Sequence, residues 1–274
     1  MSQCKIIAVA NQKGGVGKTT TTFSLGVALA NKGKKVLLVD ADPQADLTAY
    51  MGWYEQDKIP ITLTNLIEQS IEDKYIQVKE SILHHSENVD LIPSDIDLAA
   101  KESAIYEAEN RERTLENCLS SIKDNYDYII IDCMPSLGNI TVNALGCANS
   151  VIIPMQGQYL SAKGMTELLK SIFKVQNEIN PELKIDGILF TMIDSRTNLP
   201  KEVRIQITEE YEEIINIYKT QIPYAISTAE STASGKSIFS YDKNGKVALA
   251  YSSFAKEVLN NGKERKQNAF AKDR

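Results

Sequence analysis

The densest chemistry in the chain lies at residues 12–20, QKGGVGKTT. Gly14, Gly15 and Gly17 let the backbone curl until consecutive N–H groups face inward, a path that a Cβ hinders. Those N–H groups, with the first turn of a following helix, make a cradle for phosphate oxygens. Lys18 then reaches the outer phosphates of a nucleotide and the Thr19 hydroxyl ligates Mg2+. The generic pattern G-x-x-x-x-G-K-[ST] is met except at its first position, where Gln12 stands, and Lys13 follows. A second lysine is chemically odd here, because one loop does not easily aim two ammonium groups at the same triphosphate. The economical solution gives Lys13 to the nucleotide of a facing subunit, where a cation offsets charge developing on the γ-phosphoryl.

Three carboxylates complete the set. Asp132 ends the apolar run YIIID at 128–132, where it can hold Mg2+ directly or through a water. Asp40 and Asp42 end the run that begins KVLLVD at 35–40. One of them can orient metal waters, and the other can position or polarise the attacking water.

Positioning these groups takes strands that end side by side. Short apolar runs without alternation, at 5–11, 35–40, 89–92, 128–132, 151–155, 187–193 and 218–222, predict strands covered on both faces. Helical spacing predicts helices over 20–32, 113–123, 162–178, 201–215 and 248–260. Alternation of the two implies right-handed crossovers and a mainly parallel twisted sheet with helices on both faces, a single α/β domain of the P-loop NTPase type. Ligands of such sheets sit at the carboxyl ends of the strands, where Asn11, Asp40, Asp42 and Asp132 fall. Residues 52–88 are polar and weakly periodic and predict only inserted helices and loops. The domain is expected over 1–261, followed by a basic, flexible tail at 262–274.

Composition removes other classes. With 274 residues and 43% hydrophobic content the chain can bury a core without staples. No apolar run approaches the length of a membrane span, and the N-terminus lacks a secretory signal, so the expected location is the cytoplasm. Cys4, Cys118, Cys133 and Cys147 are scattered, and His84 and His85 are adjacent, which matches no metal-ligand spacing. Net charge is −6, but the residues from Ser234 onward are basic by five, leaving −11 on the rest. That asymmetry suits an anionic partner near the C-terminal region.

Taken together, QKGGVGKTT at 12–20, VDADPQAD at 39–46 and IIIDCMPSLG at 129–138 resemble the deviant Walker ATPases of the ParA/MinD group. The likeness continues through TMIDSRTNL at 191–199 and Ile222-Pro223 to SGKSIFSYD at 234–242. The DADPQ segment points to the ParA/Soj branch, which partitions plasmids and chromosomes. The resemblance implies a homodimer with ATP and Mg2+ sandwiched between subunits, Lys13 of each touching the phosphates of the other. It assigns phosphate and Mg2+ to Gly14, Gly15, Val16, Gly17, Lys18, Thr19 and Thr20, with Asp40 and Asp132 on the metal side. Catalysis falls to Lys13, Lys18 and Asp42, and Pro223 lies near the adenine. It further implies nonspecific, nucleoid-associated DNA binding by the ATP-bound dimer, and a ParB-type centromere-binding partner that stimulates hydrolysis and releases it. Soj-like proteins carry arginines just after the Ile-Pro pair, and YAISTAES at 224–231 has none. Arg196, Lys236, Lys243 and Lys246 are therefore the DNA-binding candidates. A membrane-cycling ATPase like MinD is the alternative, although KERKQNAFAKDR at the C-terminus offers only Phe270 as a bulky apolar anchor. No membrane partner is expected. An iron–sulfur carrier on the same scaffold would need paired cysteines.

Overall fold

The computed structural model describes residues 4–158, 161–194 and 196–272, with side chains described outside 161–163 and 262–272. In chain order the elements are β1 (Lys5–Val9), α1 (Lys18–Ala30), β2 (Val36–Ala41), α2 (Asp46–Tyr50), α3 (Leu63–Ile71), β3 (Leu83–His85), β4 (Val89–Ile92), α4 (Lys101–Glu107) and α5 (Thr114–Ser120). Then come β5 (Tyr128–Cys133), α6 (Asn139–Cys147), β6 (Ser150–Gln156), α7 (Ser161–Glu178), β7 (Lys184–Ile193), α8 (Leu199–Tyr211), β8 (Ile217–Pro223), α9 (Ile226–Ala233), α10 (Ile238–Tyr241) and α11 (Lys246–Lys272).

The strands form one sheet in the order β3-β4-β2-β5-β1-β6-β7-β8. All neighbours pair parallel except β3, which runs antiparallel to β4. Successive residues of each central strand face opposite layers, as the pleat requires. Ile6 and Ala8 enter a core built with α3, α5, α6, α7 and α8, whereas Ile7 and Val9 enter one built with α1, α2, α10 and α11. Because both faces are buried, the strands read as unbroken apolar runs. The expected α/β domain with a mainly parallel sheet and helices on both faces is what the chain forms.

Seven strands were legible. The eighth, β3, is three residues long with an exposed His84, and it lies in the stretch 52–88 that predicted no strand. That stretch also holds α3, started by a capping box in which the side chains of Thr62 and Asn65 serve each other's backbone. The 262–272 segment, set apart above as a tail, is helical in α11, and residues 273–274 lie outside the described residues.

Register explains the site. Asp40 of β2 and Asp132 of β5 are directly abreast, and Val9 at the end of β1 lies beside Asp132 on its other side. The loop leaving β1 therefore opens above two carboxylates.

Candidate functional site at the glycine-rich loop

The loop between β1 and α1 is built on two left-handed glycines, Gly15 (φ 69°) and Gly17 (φ 82°), a conformation that a Cβ disfavours. A Cβ at Gly14 or Gly15 would point into open space within 4 Å, so the mouth of the cradle is clear. The sheet pins the loop from the side. Gln156 of β6 donates its Nε2 to the Gly15 carbonyl at 2.8 Å, and the Thr191 hydroxyl of β7 donates to the Val16 carbonyl at 2.8 Å. Asn11 ties the loop's start, donating from Nδ2 to the Pro154 carbonyl at 2.7 Å and accepting the Lys13 N–H at 3.0 Å. With these carbonyls held from behind, the loop's N–H groups are left for a ligand.

The two lysines diverge. Lys18 is 7% exposed and its Nζ donates to the Lys13 carbonyl at 3.3 Å across the loop. Burial pulls its ammonium below the usual lysine range, while the nearby charges of Asp132 and Asp42 act in the opposite sense. The Lys13 ammonium reaches away instead, to Gln158 Oε1 at 2.5 Å in an exposed contact.

The acids have distinct surroundings. Asp132 is buried beneath the loop; its Oδ1 accepts from the Thr22 hydroxyl at 3.3 Å, and its Oδ2 makes no hydrogen bond of standard geometry. Burial first, then the neighbouring Asp40, pushes its carboxyl well above the ordinary range, and Thr19 and Lys18 draw it back. Asp40 is committed to the chain: its Oδ2 accepts from the Thr48 N–H and hydroxyl at 2.8 and 2.7 Å, which fixes α2. Burial raises it to about 7. Asp42 is half-buried, accepts the Gln44 N–H at 2.9 Å and lies within electrostatic reach of Lys18.

These residues fit a magnesium nucleotide. A buried carboxyl oxygen without a hydrogen bond of standard geometry stands beside Thr19, under a clear cradle of N–H groups. Among the described residues no trio of His, Cys, Asp or Glu is arranged to hold a metal, so an ion here relies on Thr19, Asp132 and oxygens arriving with the nucleotide. Beside Gly17 and Thr20 a cavity of about 280 Å3 is lined by Pro223, Met192, Tyr224 and Ile226, an apolar slot of the size for a nucleobase.

The DNA-binding candidates do not form one patch. Arg196 is 84% exposed but bidentate on Asp194, which it holds down to about 2, and Lys246 lies close enough to help. Lys236 is exposed in the α9–α10 segment, whose Gly235 carbonyl contacts His85 and whose Ser237 N–H bonds Glu87. It thus belongs to the β3 edge, while Arg196 and Lys246 belong to the β7–β8 edge. Lys243 is exposed between α10 and α11. Cys4, Cys118 and Cys133 are buried thiols, and burial pushes all three up, Cys118 to about 12. No helix among the described residues is long and apolar enough to cross a membrane.

Gln156, Thr191 and Thr48 are not among the residues that the sequence singles out, although two of them are visible in it. Gln156 is a polar residue just past the carboxyl end of the run 151–155, the same mark that singled out Asp132, whereas Thr191 is a lone hydroxyl inside the run 187–193.

Residues 4–185 match the family described as AAA domain. The chain is 43% identical over 260 residues to the sporulation initiation inhibitor protein Soj of Bacillus subtilis, covering 94% of this chain and 99% of that one. It is 38% identical to the chromosome-partitioning ATPase Soj of Treponema pallidum, covering 93% and 97%. Among solved structures, cobyrinic acid a,c-diamide synthase from Mycobacterium smegmatis with bound ADP and magnesium superposes with a TM-score of 0.82 at 35% identity, over 95% of this chain and 96% of that one. Full-length likeness to the Soj proteins joins the loop with its extra lysine, and on both grounds the chain belongs to the ParA/Soj family of P-loop ATPases.

Proposed function

We propose that the chain is a DNA-partition ATPase in which bound ATP closes a two-subunit sandwich that holds DNA until hydrolysis opens it. The observation that carries this reading is the divergence of the two loop lysines. Lys18 is folded into its own cradle, and Lys13 extends its ammonium out of it. A cation displayed beside a phosphate site, rather than in it, is of use to a nucleotide held by a facing copy.

Magnesium, when bound, would supply positive charge that offsets the negative charge of the nucleotide's outer phosphates. The chain's own groups do the rest. Gly14 to Thr20 grip the phosphates through backbone N–H groups, and Lys18 neutralises the outer pair. Thr19 and the open oxygen of Asp132 hold the ion's side of the site, with Asp40 behind them fixing α2 through Thr48. Asp42, half-exposed at the rim, orients the attacking water. Pro223 and the apolar slot beside Gly17 take the adenine.

ATP-bound dimers bind DNA without sequence preference through Arg196, Lys236, Lys243, Lys246 and the basic end of α11, in association with the nucleoid. A ParB-type partner accelerates hydrolysis and release. The test is DNA retention with ATP, with ADP and with the Lys18→Ala variant. Retention is expected with ATP alone, falling steeply as salt is raised because bound phosphates release counterions, and absent in Lys18→Ala. Binding that ignores the nucleotide contradicts the proposal.

A further inference from the structure

Glu102 lies on α4, outside the nucleotide site, yet its carboxylate is seated on the first turn of α6. Its Oε2 accepts the Asn139 N–H at 2.6 Å and its Oε1 the Ile140 N–H at 3.1 Å, while its backbone carbonyl accepts from Asn139 Nδ2 at 2.9 Å. A carboxylate there satisfies two of the donors that a helix start leaves open and meets the positive end of its dipole. Gly138 completes the seat. A Cβ at 138 would lie 2.6 Å from Glu102 Oε1 and 2.7 Å from Oε2. Yet φ −71° and ψ −176° at Gly138 are angles that any residue adopts. A Cβ at 138 would therefore be accommodated by displacing the Glu102 carboxylate, the mobile end of its side chain, and not by any change in the chain's own path.

Residues 134–138 link this seat to Asp132 and Cys133 at the end of β5. One end of that short connection is fixed in the sheet beneath the P-loop, and the other is fixed by Glu102. We propose that Glu102 is a positioning residue for ATP hydrolysis: by anchoring the start of α6 it holds the 134–138 segment, and through it the carboxyl end of β5, in the arrangement the reaction needs. This rests on the chain being an ATPase. The hydrogen-bond partners of Glu102 are Asn139 and Ile140 at the start of α6 and not the glycine-rich loop, so its effect belongs in turnover and not in nucleotide affinity.

The test compares Glu102→Ala, Glu102→Gln, Gly138→Ala and the double variant Glu102→Ala/Gly138→Ala with the wild type. ATP turnover per folded molecule, KM and melting temperature are measured for each. Turnover is expected to fall about tenfold in Glu102→Ala and in Gly138→Ala, with KM changed less than about twofold, as displacement of a supporting segment does. Glu102→Gln keeps one acceptor oxygen and lies between. The double variant is no worse than the poorer single one, because the added methyl no longer meets a carboxylate. Wild-type turnover per folded molecule in both single variants, with only the melting temperature lowered, overturns the proposal. Losses that multiply in the double variant overturn it too. A wild-type protein without ATPase activity would instead defeat the enzymatic reading, which the same assay separates from the role of Glu102.

Discussion

At the scale of single residues, the site is a set of like and unlike charges sorted by burial. Lys18 is folded in, Lys13 is held out by Gln158, and Asp132 keeps one buried oxygen open while Asp40 spends its Oδ2 on Thr48. Asp40 gives this sorting a measurable consequence. Its carboxyl titrates at about 7 in the folded chain because burial outweighs the bonds from Thr48, whereas an unfolded aspartate titrates near 4. Between those values the folded chain keeps a proton that the unfolded chain has released. The resulting stabilisation is complete below the unfolded value and is lost as pH rises through about 7. Without nucleotide or magnesium, the melting temperature should therefore fall between about pH 4 and about pH 7, and fall less in Asp40→Asn. Equal slopes for the two proteins count against the assignment. Every charged residue of this site was legible in the sequence, because carboxylates and lysines at the ends of apolar runs stand out. The neutral supports Gln156, Thr191 and Thr48 were less so, since amides and hydroxyls acquire their roles only from neighbours distant in sequence.

Among the elements, the strands were easier to read than the small helices. Strands buried on both faces appear as unbroken apolar runs, and long helices such as α7 show helical spacing. The edge strand β3 and short helices such as α2, α9 and α10 carry too few residues for a period to emerge, and contacts from other elements hold them. At the other edge of the sheet, β8 leaves N–H groups without a neighbouring strand. Glu257 of α11 covers them, its carboxylate accepting the Lys219 and Thr220 N–H groups at 2.8 Å each and the Thr220 hydroxyl as well. That contact docks the C-terminal helix onto the sheet and blunts an edge open to pairing. Removing it in Glu257→Ala should cost about 1–3 kcal/mol of stability, because hydrogen bonds to a charged group are lost and the part-buried Thr220 donors are left over. Equilibrium urea unfolding measures this, and an unchanged midpoint would show that solvent serves the edge equally well.

For the molecule as a whole, the sequence carries two separate statements. Apolar runs and strand-end acids specify one α/β domain with a phosphate site, and the fold agrees. Charge asymmetry suits an anionic partner near the C-terminal region, and among the candidate cations Lys236 lies by one edge of the sheet while Arg196 and Lys246 lie by the other. Pairing two copies across their P-loops would double each set, which is one physical reason for the proposed DNA binding to await ATP. The divergence of Lys13 and Lys18 supports the proposal of a nucleotide site shared between two copies. Light scattering on Asp42→Ala, which should bind ATP and hydrolyse it roughly 100-fold more slowly, is the test. With ATP and magnesium the mass should double, and it should remain that of one chain with ADP or when Lys13→Ala is added. A single-chain mass for Asp42→Ala at saturating ATP, or a dimer that forms equally well without Lys13, would contradict a shared site.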